Sequence, residues 1–311
     1  MIRGTAPLRI SLAGGGTDLN YIFEKYGGAV VNFTIDKYCH MSIEKRKDNK
    51  IFINNKQQSH ILVDKVVEYF KPKFGFNLIY WNDIAPGSGL GNSSSFVCLL
   101  LELLNELEGN VLTDINLAEQ GYAIERNINE GGWQDQYATC IGGFNFMEFG
   151  EKILVYPLRL RYRFLQELSE HLLLVSVGKK ENIDTLKNLR EYSERNIIEL
   201  EKTARMKTLA FEMRDCLLNQ KINEIGNILN SNWILKRNKF TSNEYLDNIY
   251  NIAIKNGAEG GKLCGSGQAG HFLFFVKPEN RERLIKSLKL PIVNFNMSKH
   301  GVETWRNIYK L

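Results

Sequence analysis

The stretch Pro86-Gly87-Ser88-Gly89-Leu90-Gly91-Asn92-Ser93-Ser94-Ser95 constrains this chain most, because it sets a glycine-rich turn directly before the largely apolar run Phe96 to Leu104. A helix beginning there has unpaired backbone N–H groups, an Asn or Ser cap and the positive end of its dipole, a ready seat for phosphate. The segment is not a Walker loop, since no lysine lies between Pro86 and Glu102 to reach the outer phosphates. The alternate glycines of Gly87-Ser88-Gly89-Leu90-Gly91 also miss the dinucleotide-binding spacing. A third type of phosphate cradle is implied, against the plainer reading of a glycine-rich turn that merely caps a buried helix.

A chain of 311 residues can bury a large core, in one big domain or two intimately joined ones. Its 43% hydrophobic and 24% charged residues are ordinary for a soluble globular protein. No apolar run approaches the ~20 residues needed to cross a bilayer, and the amino terminus enters a strand pattern at Leu8 without a signal-peptide core, so a cytoplasmic protein is expected. The five cysteines are odd in number, widely spaced and mostly among apolar neighbours, which suits reduced core thiols. A formal charge of +5 spread along the chain fits an anionic small substrate. The basic clusters Lys236-Arg237-Asn238-Lys239 and Arg159 to Arg163 read as solvated faces rather than a nucleic-acid surface.

Residues 8–13 alternate and run into Gly14-Gly15-Gly16-Thr17-Asp18, which predicts a strand, a tight turn and a helix through about Tyr26. Val30 to Glu44 predicts long strand structure, with Ile51 to Ile53 as a short partner. A helix over Ile61 to Phe70 and a strand over Phe76 to Trp81 lead into the glycine-rich turn. Leu117, Gly121, Ile124 and Ile128 recur at helical spacing, so a helix is expected over 114–129 with Glu125 beside its apolar face. Gln134 to Cys140 should start another helix, and Phe144 to Phe149 with Ile153 to Tyr156 a hairpin around Gly150. A strand over His171 to Val177 precedes residues 181–256, whose Glu, Lys, Arg, Leu and Asn content without proline predicts three or so helices. The five glycines of Gly260 to Gly270 precede a strand over Phe272 to Val276, a helix near Glu279 to Leu288 and a strand near Ile292 to Phe295.

Three glycine-rich elements thus recur, Pro7 to Asp18, Pro86 to Ser95 and Gly260 to Gly270, and between the last two lies Glu125-Arg126-Asn127-Ile128-Asn129-Glu130-Gly131-Gly132-Trp133-Gln134-Asp135-Gln136. Together they resemble the GHMP kinase superfamily. Within it, Pro7-Leu8-Arg9-Ile10-Ser11-Leu12-Ala13-Gly14-Gly15-Gly16-Thr17-Asp18, Gly132-Trp133-Gln134-Asp135-Gln136-Tyr137 and Gly142-Gly143-Phe144-Asn145-Phe146-Met147-Glu148-Phe149 are similar to the bacterial D-glycero-D-manno-heptose 7-phosphate kinases. The resemblance runs from residue 1 to about residue 305. It implies an α+β, two-domain GHMP kinase fold, with a ribosomal-protein-like amino-terminal domain over 1–165, a ferredoxin-like carboxy-terminal domain over 166–311, and a cleft between them.

The same resemblance implies a site. Phosphoryl transfer needs the triphosphate immobilised, its charge offset and the acceptor hydroxyl placed in line. ATP phosphates would lie on the backbone from Pro86 through Gly87, Ser88, Gly89, Leu90, Gly91, Asn92 and Ser93 to Ser94. Ser93 and Glu125 would hold Mg²⁺, with Ser94 the neighbouring alternative. Asp135 would accept or orient the hydroxyl proton, fixed by the amides on either side of it, and Arg9 would keep its carboxylate ionised. Gly16, Thr17, Asp18, Trp133, Gly265 and Ser266 would meet the sugar; Asp18 could instead cap a helix. The chain departs from the family pattern at Trp133, Gln268, Ala269 and His271. An added Cβ at Ala269 removes easy access to positive φ, and Gln268 could intrude on the cleft. The expectation is an ATP- and Mg²⁺-dependent kinase for the anomeric hydroxyl of the heptose 7-phosphate, serving nucleotide-heptose and surface polysaccharide synthesis, with a homodimer as one assembly it could form. The rivals are a kinase for another sugar, a non-catalytic nucleotide or sugar sensor and, weakest, a nucleic-acid binder.

Overall fold

The computed structural model describes residues 1–128, 130–178, 187–188, 190–191 and 196–306. Its larger sheet is organised by one long strand. β1 (Ile2–Ala13) turns through the triple glycine and α1 (Asn20–Tyr26) into β2 (Gly28–Lys45), which pairs antiparallel with it along nearly its whole length. The 18 residues of β2 let its other edge serve two partners. Its first part pairs with β5 (Phe144–Phe149), which continues to β6 (Leu154–Pro157), and its second with β4 (Phe76–Asn82), which carries β3 (Ile51–Ile53) in parallel.

An irregularity in this pair positions the site. The register slips between Pro7 and Leu8, where β2 carries two extra residues, Asp36 and Lys37. Side chains alternate along a strand, so a bulge of this kind changes which positions face which layer. Before it, Ile2 and Ala6 face a first core; after it Leu8, Ile10 and Leu12 face a second. Arg9 and Ser11 therefore turn toward the layer that Ile2 and Ala6 had faced. The Pro7 carbonyl accepts instead from the hydroxyls of Ser95 and Thr139, each at 2.8 Å.

That first core lies under α2 (Ile61–Phe70), α3 (Asn92–Glu108), α4 (Asp114–Glu125) and α5 (Gln134–Ile141). The second lies under α6 (Tyr162–His171), α7 (Ile197–Leu218) and α8 (Ile222–Lys236), together with the inner face of an antiparallel sheet in the order β10, β7, β9, β8. These strands are β7 (Leu172–Ser176), β8 (Ala258–Leu263), β9 (His271–Val276) and β10 (Ile292–Val293). Leu172, Leu174, Leu273 and Phe275 point inward, and Leu173, Val175, Phe272 and Phe274 point to a third core closed by α9 (Glu244–Lys255) and α10 (Pro278–Leu288). With both faces buried, these strands read as continuous apolar runs. The architecture is α+β, mostly antiparallel, as expected.

Four expectations change. The helix foreseen over 114–129 ends at Glu125, and Asn129 lies outside the described residues. The cap of α3 is Gly91, at φ 84°, with no side-chain cap; Asn92 is the first helical residue and turns its amide back to the Ile84 carbonyl. α6 was hidden by its basic flank, with Phe164 and Leu168 its buried pair. Finally, β11 (Glu303–Arg306) returns to pair with β1, and Asn296 and Ser298 bond to β2, so the tail of the segment assigned over 166–311 is part of the first sheet. All five cysteines are buried and free.

Candidate active site

Where the two halves meet, a cleft of ≈ 500 Å³ opens between the turn before α3 and the turn between β8 and β9. Pro86, Gly87, Ser88, Gly89, Gly91, Asn92, Ser93 and Ser94 line it. Leu90 does not: its side chain is fully buried in the second core while its carbonyl accepts from Arg9 N at 2.9 Å, so it anchors the turn rather than lining the cleft. Helix α3 thus aims the N–H groups of its first turn at the cleft.

The second turn holds the first in shape. A Cβ at Gly89 would lie 2.5 Å from the Cys264 carbonyl, and one at Gly265 would lie 2.5 Å from Gly89 Cα; both residues have positive φ. His271 donates Nδ1–H to the Ser88 carbonyl at 2.8 Å, and its burial lowers its pKa, keeping it neutral. At this departure from the family pattern, then, the ring ties the two turns together. Gln268, the residue expected to intrude, carries the positive φ of its turn (69°) and bonds away from the cleft, to the Lys239 and Ser242 carbonyls. Ala269 lines the cleft and is not among the residues at positive φ.

Three consecutive residues at the start of α5 each meet a different acid or base. Asp135 receives Arg9 Nε at 2.7 Å and Nη2 at 2.6 Å, while Arg9 Nη1 donates to the Gly89 carbonyl at 2.7 Å. Arg9 is 5% exposed. Burial opposes its charge, but Asp135 outweighs that and holds the guanidinium above its ordinary pKa. The amides next to Asp135 do not fix it, as had been expected. Gln134 donates from its backbone and side chain to Asp18, and Gln136 Nε2 donates to Glu125 Oε2 at 2.5 Å. Successive helical side chains diverge by about 100°, so they cannot share one target.

Glu125, 4% exposed, also accepts from Ser93 Oγ at 2.6 Å. Burial raises its pKa, against the hydrogen bonds of Ser93, Ser94 and Gln136. A buried carboxylate beside a hydroxyl at the first turn of a helix is a hard-oxygen donor set that suits Mg²⁺. Among the described residues no group of three or more His, Cys, Asp or Glu side chains could hold a metal, so the remaining ligands would be phosphate and water oxygens.

Asp18 lines the cleft at 2% exposure, and burial followed by the Asp135 charge raises its pKa. It is not a helix cap: Leu19 holds that position, and the Asp18 carboxylate accepts from Gly16 N. Gly132 lets it in, since a Cβ there would lie 1.9 Å from Asp18 Oδ2. Gly16, Gly265 and Ser266 line the cleft. Thr17 and Trp133 do not. The Thr17 hydroxyl donates to the Gly14 and Ala29 carbonyls, and the Trp133 indole stacks on Tyr122 with centroids 3.5 Å apart and donates to Asn20. Among the cleft residues that the sequence reading gives no role are Ser11, His60, Tyr80, Phe96, Lys236 and Lys262. Lys262 is the one charged residue between Gly260 and Gly270, the signal that would have singled it out. Burial, then the Lys236 and Arg9 charges, push its ammonium down to about 7.

A glycine-rich turn at a helix start, a half-buried Arg–Asp pair and a buried carboxylate on a hydroxyl are parts that a phosphotransfer site needs. Residues 61–143 match the model of the GHMP kinases N terminal domain, and residues 213–291 that of the GHMP kinases C terminal. The chain is 33% identical to the D-glycero-alpha-D-manno-heptose 7-phosphate kinase of Campylobacter jejuni over 98% of this chain and 99% of that one. It superposes on a D-glycero-D-manno-heptose 1-phosphate kinase from Bacteroides thetaiotaomicron with a TM-score of 0.81 and 28% identity, covering 100% of both chains. Galactokinase from Lactococcus lactis shares the fold, at a TM-score of 0.75 and 17% identity over 98% and 95% of the two chains. The chain belongs to the GHMP kinase family and has its two-domain α+β fold. It is an enzyme, an ATP-dependent kinase. Among the described residues no helix is long and apolar enough to cross a membrane.

Proposed function

We propose that the chain is a sugar kinase that transfers the γ-phosphoryl group of ATP to the anomeric hydroxyl of D-glycero-D-manno-heptose 7-phosphate, giving the 1,7-bisphosphate used for nucleotide-heptose and surface polysaccharide synthesis. The observation that carries this reading is the Arg9–Asp135 pair, which joins the base candidate to the phosphate turn through Gly89. The relationship to the heptose phosphate kinase of Campylobacter jejuni supports the choice of acceptor.

In this reading the triphosphate lies on the turn from Pro86 to Ser94, and the adenine is seated at the His60, Tyr80 and Phe96 cluster on the cleft wall, where the Tyr80 and Phe96 rings meet edge to face at 4.9 Å. Ser93 and Glu125 hold Mg²⁺, which offsets phosphate charge when bound. Asp135 takes the hydroxyl proton on the carboxylate that the Arg9 guanidinium holds in place, and Arg9 also faces the charge on the transferring group. Asp18 and Gly16 hold the sugar.

Release of ADP is measured with a panel of sugars and sugar phosphates, the native chain beside Asp135→Asn. Turnover of the heptose 7-phosphate that falls about 10²–10⁴-fold in the variant is expected. Turnover of another sugar alone moves the acceptor; ATP binding with no turnover of any sugar overturns the reading.

A further inference from the structure

Lys262 is 1% exposed, yet it lines the cleft. Its ammonium donates to the Ser11 carbonyl at 2.8 Å and lies 3.3 Å from the Ser11 hydroxyl, two neutral partners. A buried ammonium held only by neutral oxygens is costly, and one held by a backbone carbonyl keeps N–H capacity for a ligand.

Gln134 supplies the complementary atom. Its Nε2 donates to Asp18 Oδ1 at 3.3 Å, which fixes the orientation of the amide because a carboxylate only accepts. The Oε1 so defined is buried and has no hydrogen-bond partner, although Gln134 is 7% exposed and lines the cleft. Buried acceptors of this kind are uncommon and need a partner. Gly15 leaves room beside both side chains: a Cβ there would lie 3.0 Å from Ser11 Oγ, 3.5 Å from Gln134 Nε2 and 3.9 Å from Lys262 Nζ. The niche therefore offers a cationic donor and an unused neutral acceptor, with the Asp18 carboxylate beside them. A hydroxyl both donates and accepts, and it suits all three; a phosphate would meet Asp18 and Gln134 Oε1 as one acceptor meets another.

We propose that Lys262 and Gln134 form a hydroxyl-reading subsite beside the Arg9–Asp135 pair, in which one acceptor hydroxyl other than the one phosphorylated accepts from Lys262 Nζ and donates to Gln134 Oε1. The subsite rests on the reading of the cleft as that of a sugar kinase, and it makes Lys262 a determinant of which polyol is bound.

The test is calorimetric binding of the heptose 7-phosphate and its single-deoxy analogues, in the presence of Mg²⁺ and a non-hydrolysable ATP analogue, to the native chain, Lys262→Met and Lys262→Arg. Lys262→Met is expected to weaken the parent sugar at least about tenfold, the loss typical of a charged hydrogen bond, and to leave nucleotide affinity within about twofold. One deoxy analogue should bind the native chain as weakly and lose nothing further in the variant, and Lys262→Arg should recover part of the loss. If Lys262→Met does not fold, Gln134→Met carries the same comparison. Equal losses for every analogue, or no loss for the parent, overturn the subsite while native turnover leaves the kinase reading intact. A native chain that neither binds nor phosphorylates any sugar phosphate overturns both.

Discussion

A buried ammonium hydrogen-bonded only to neutral oxygens costs stability, and Lys262 lets that cost be measured. Its pKa falls from 10.5 in an ordinary lysine to about 7 in the folded chain, so between those values the folded chain binds fewer protons than the unfolded one. Stability must then rise with pH through this window, by an amount on the order of several kcal/mol, and be lost again as the pH falls toward 7. Removing the titration removes the slope. Lys262→Met is therefore expected to be more stable than the native chain at pH 7 in denaturant unfolding, with the difference shrinking toward pH 10. Equal slopes in the two proteins would mean that the ammonium is solvated. The sequence could not show this, because Lys262 stands in a glycine-rich block and only the fold brings the Ser11 carbonyl to its ammonium and buries it. Arg9, Asp135, Asp18, Ser93 and Glu125 were legible because each stands in a motif whose spacing survives without coordinates. Trp133 and Thr17 stand in the same motifs but turn the other way, and neighbouring motif positions do not share a direction.

At the scale of elements, two glycine-rich turns widely separated in sequence form one device. Gly89, Gly265 and Gly270 each bring backbone against backbone, and a Cβ added at Gly270 would lie 2.5 Å from the Ser88 carbonyl. The turn before α3 is thus shaped as much by the β8–β9 turn as by α3. Gly89→Ala meets two obstacles, a φ of 76° and a carbonyl 2.5 Å from the new Cβ. The two turns must part, so the expected outcome is a rise of about tenfold or more in the KM for ATP and a loss of ~2 kcal/mol or more in stability. The KM for the sugar, on the Asp18 side, should move less; a variant with unchanged ATP affinity would show that the turns are independent. Composition announced both turns, since only glycine reaches these conformations cheaply. It could not announce their contact, which depends on how the two sheets are joined.

The whole molecule is held as one body by strands that serve both halves. β1 and β2 present apolar side chains to the first core before the slip at Pro7 and to the second core after it, so neither core is complete without them. β11 completes the closure. It pairs Glu303 to Arg306 with Thr5 to Ile2, sets its backbone against Gly4 so closely that a Cβ there would lie 2.8 Å from the Glu303 carbonyl, and bonds Arg306 to Glu106 on α3. None of its residues lines the cleft. Deleting residues 303–311 therefore separates stability from chemistry: β1 becomes an edge and α3 loses its tie to the tail, while Arg9, further along the same strand, keeps its neighbours. A loss of ~2 kcal/mol would lower the melting temperature by about 3 °C in a chain of this size. ATP and sugar KM values at low temperature should stay within about twofold of native. If activity instead falls in step with melting temperature, the strand is positioning Arg9 through β1, and the slip at Pro7 does not insulate the cleft from the sheet edge.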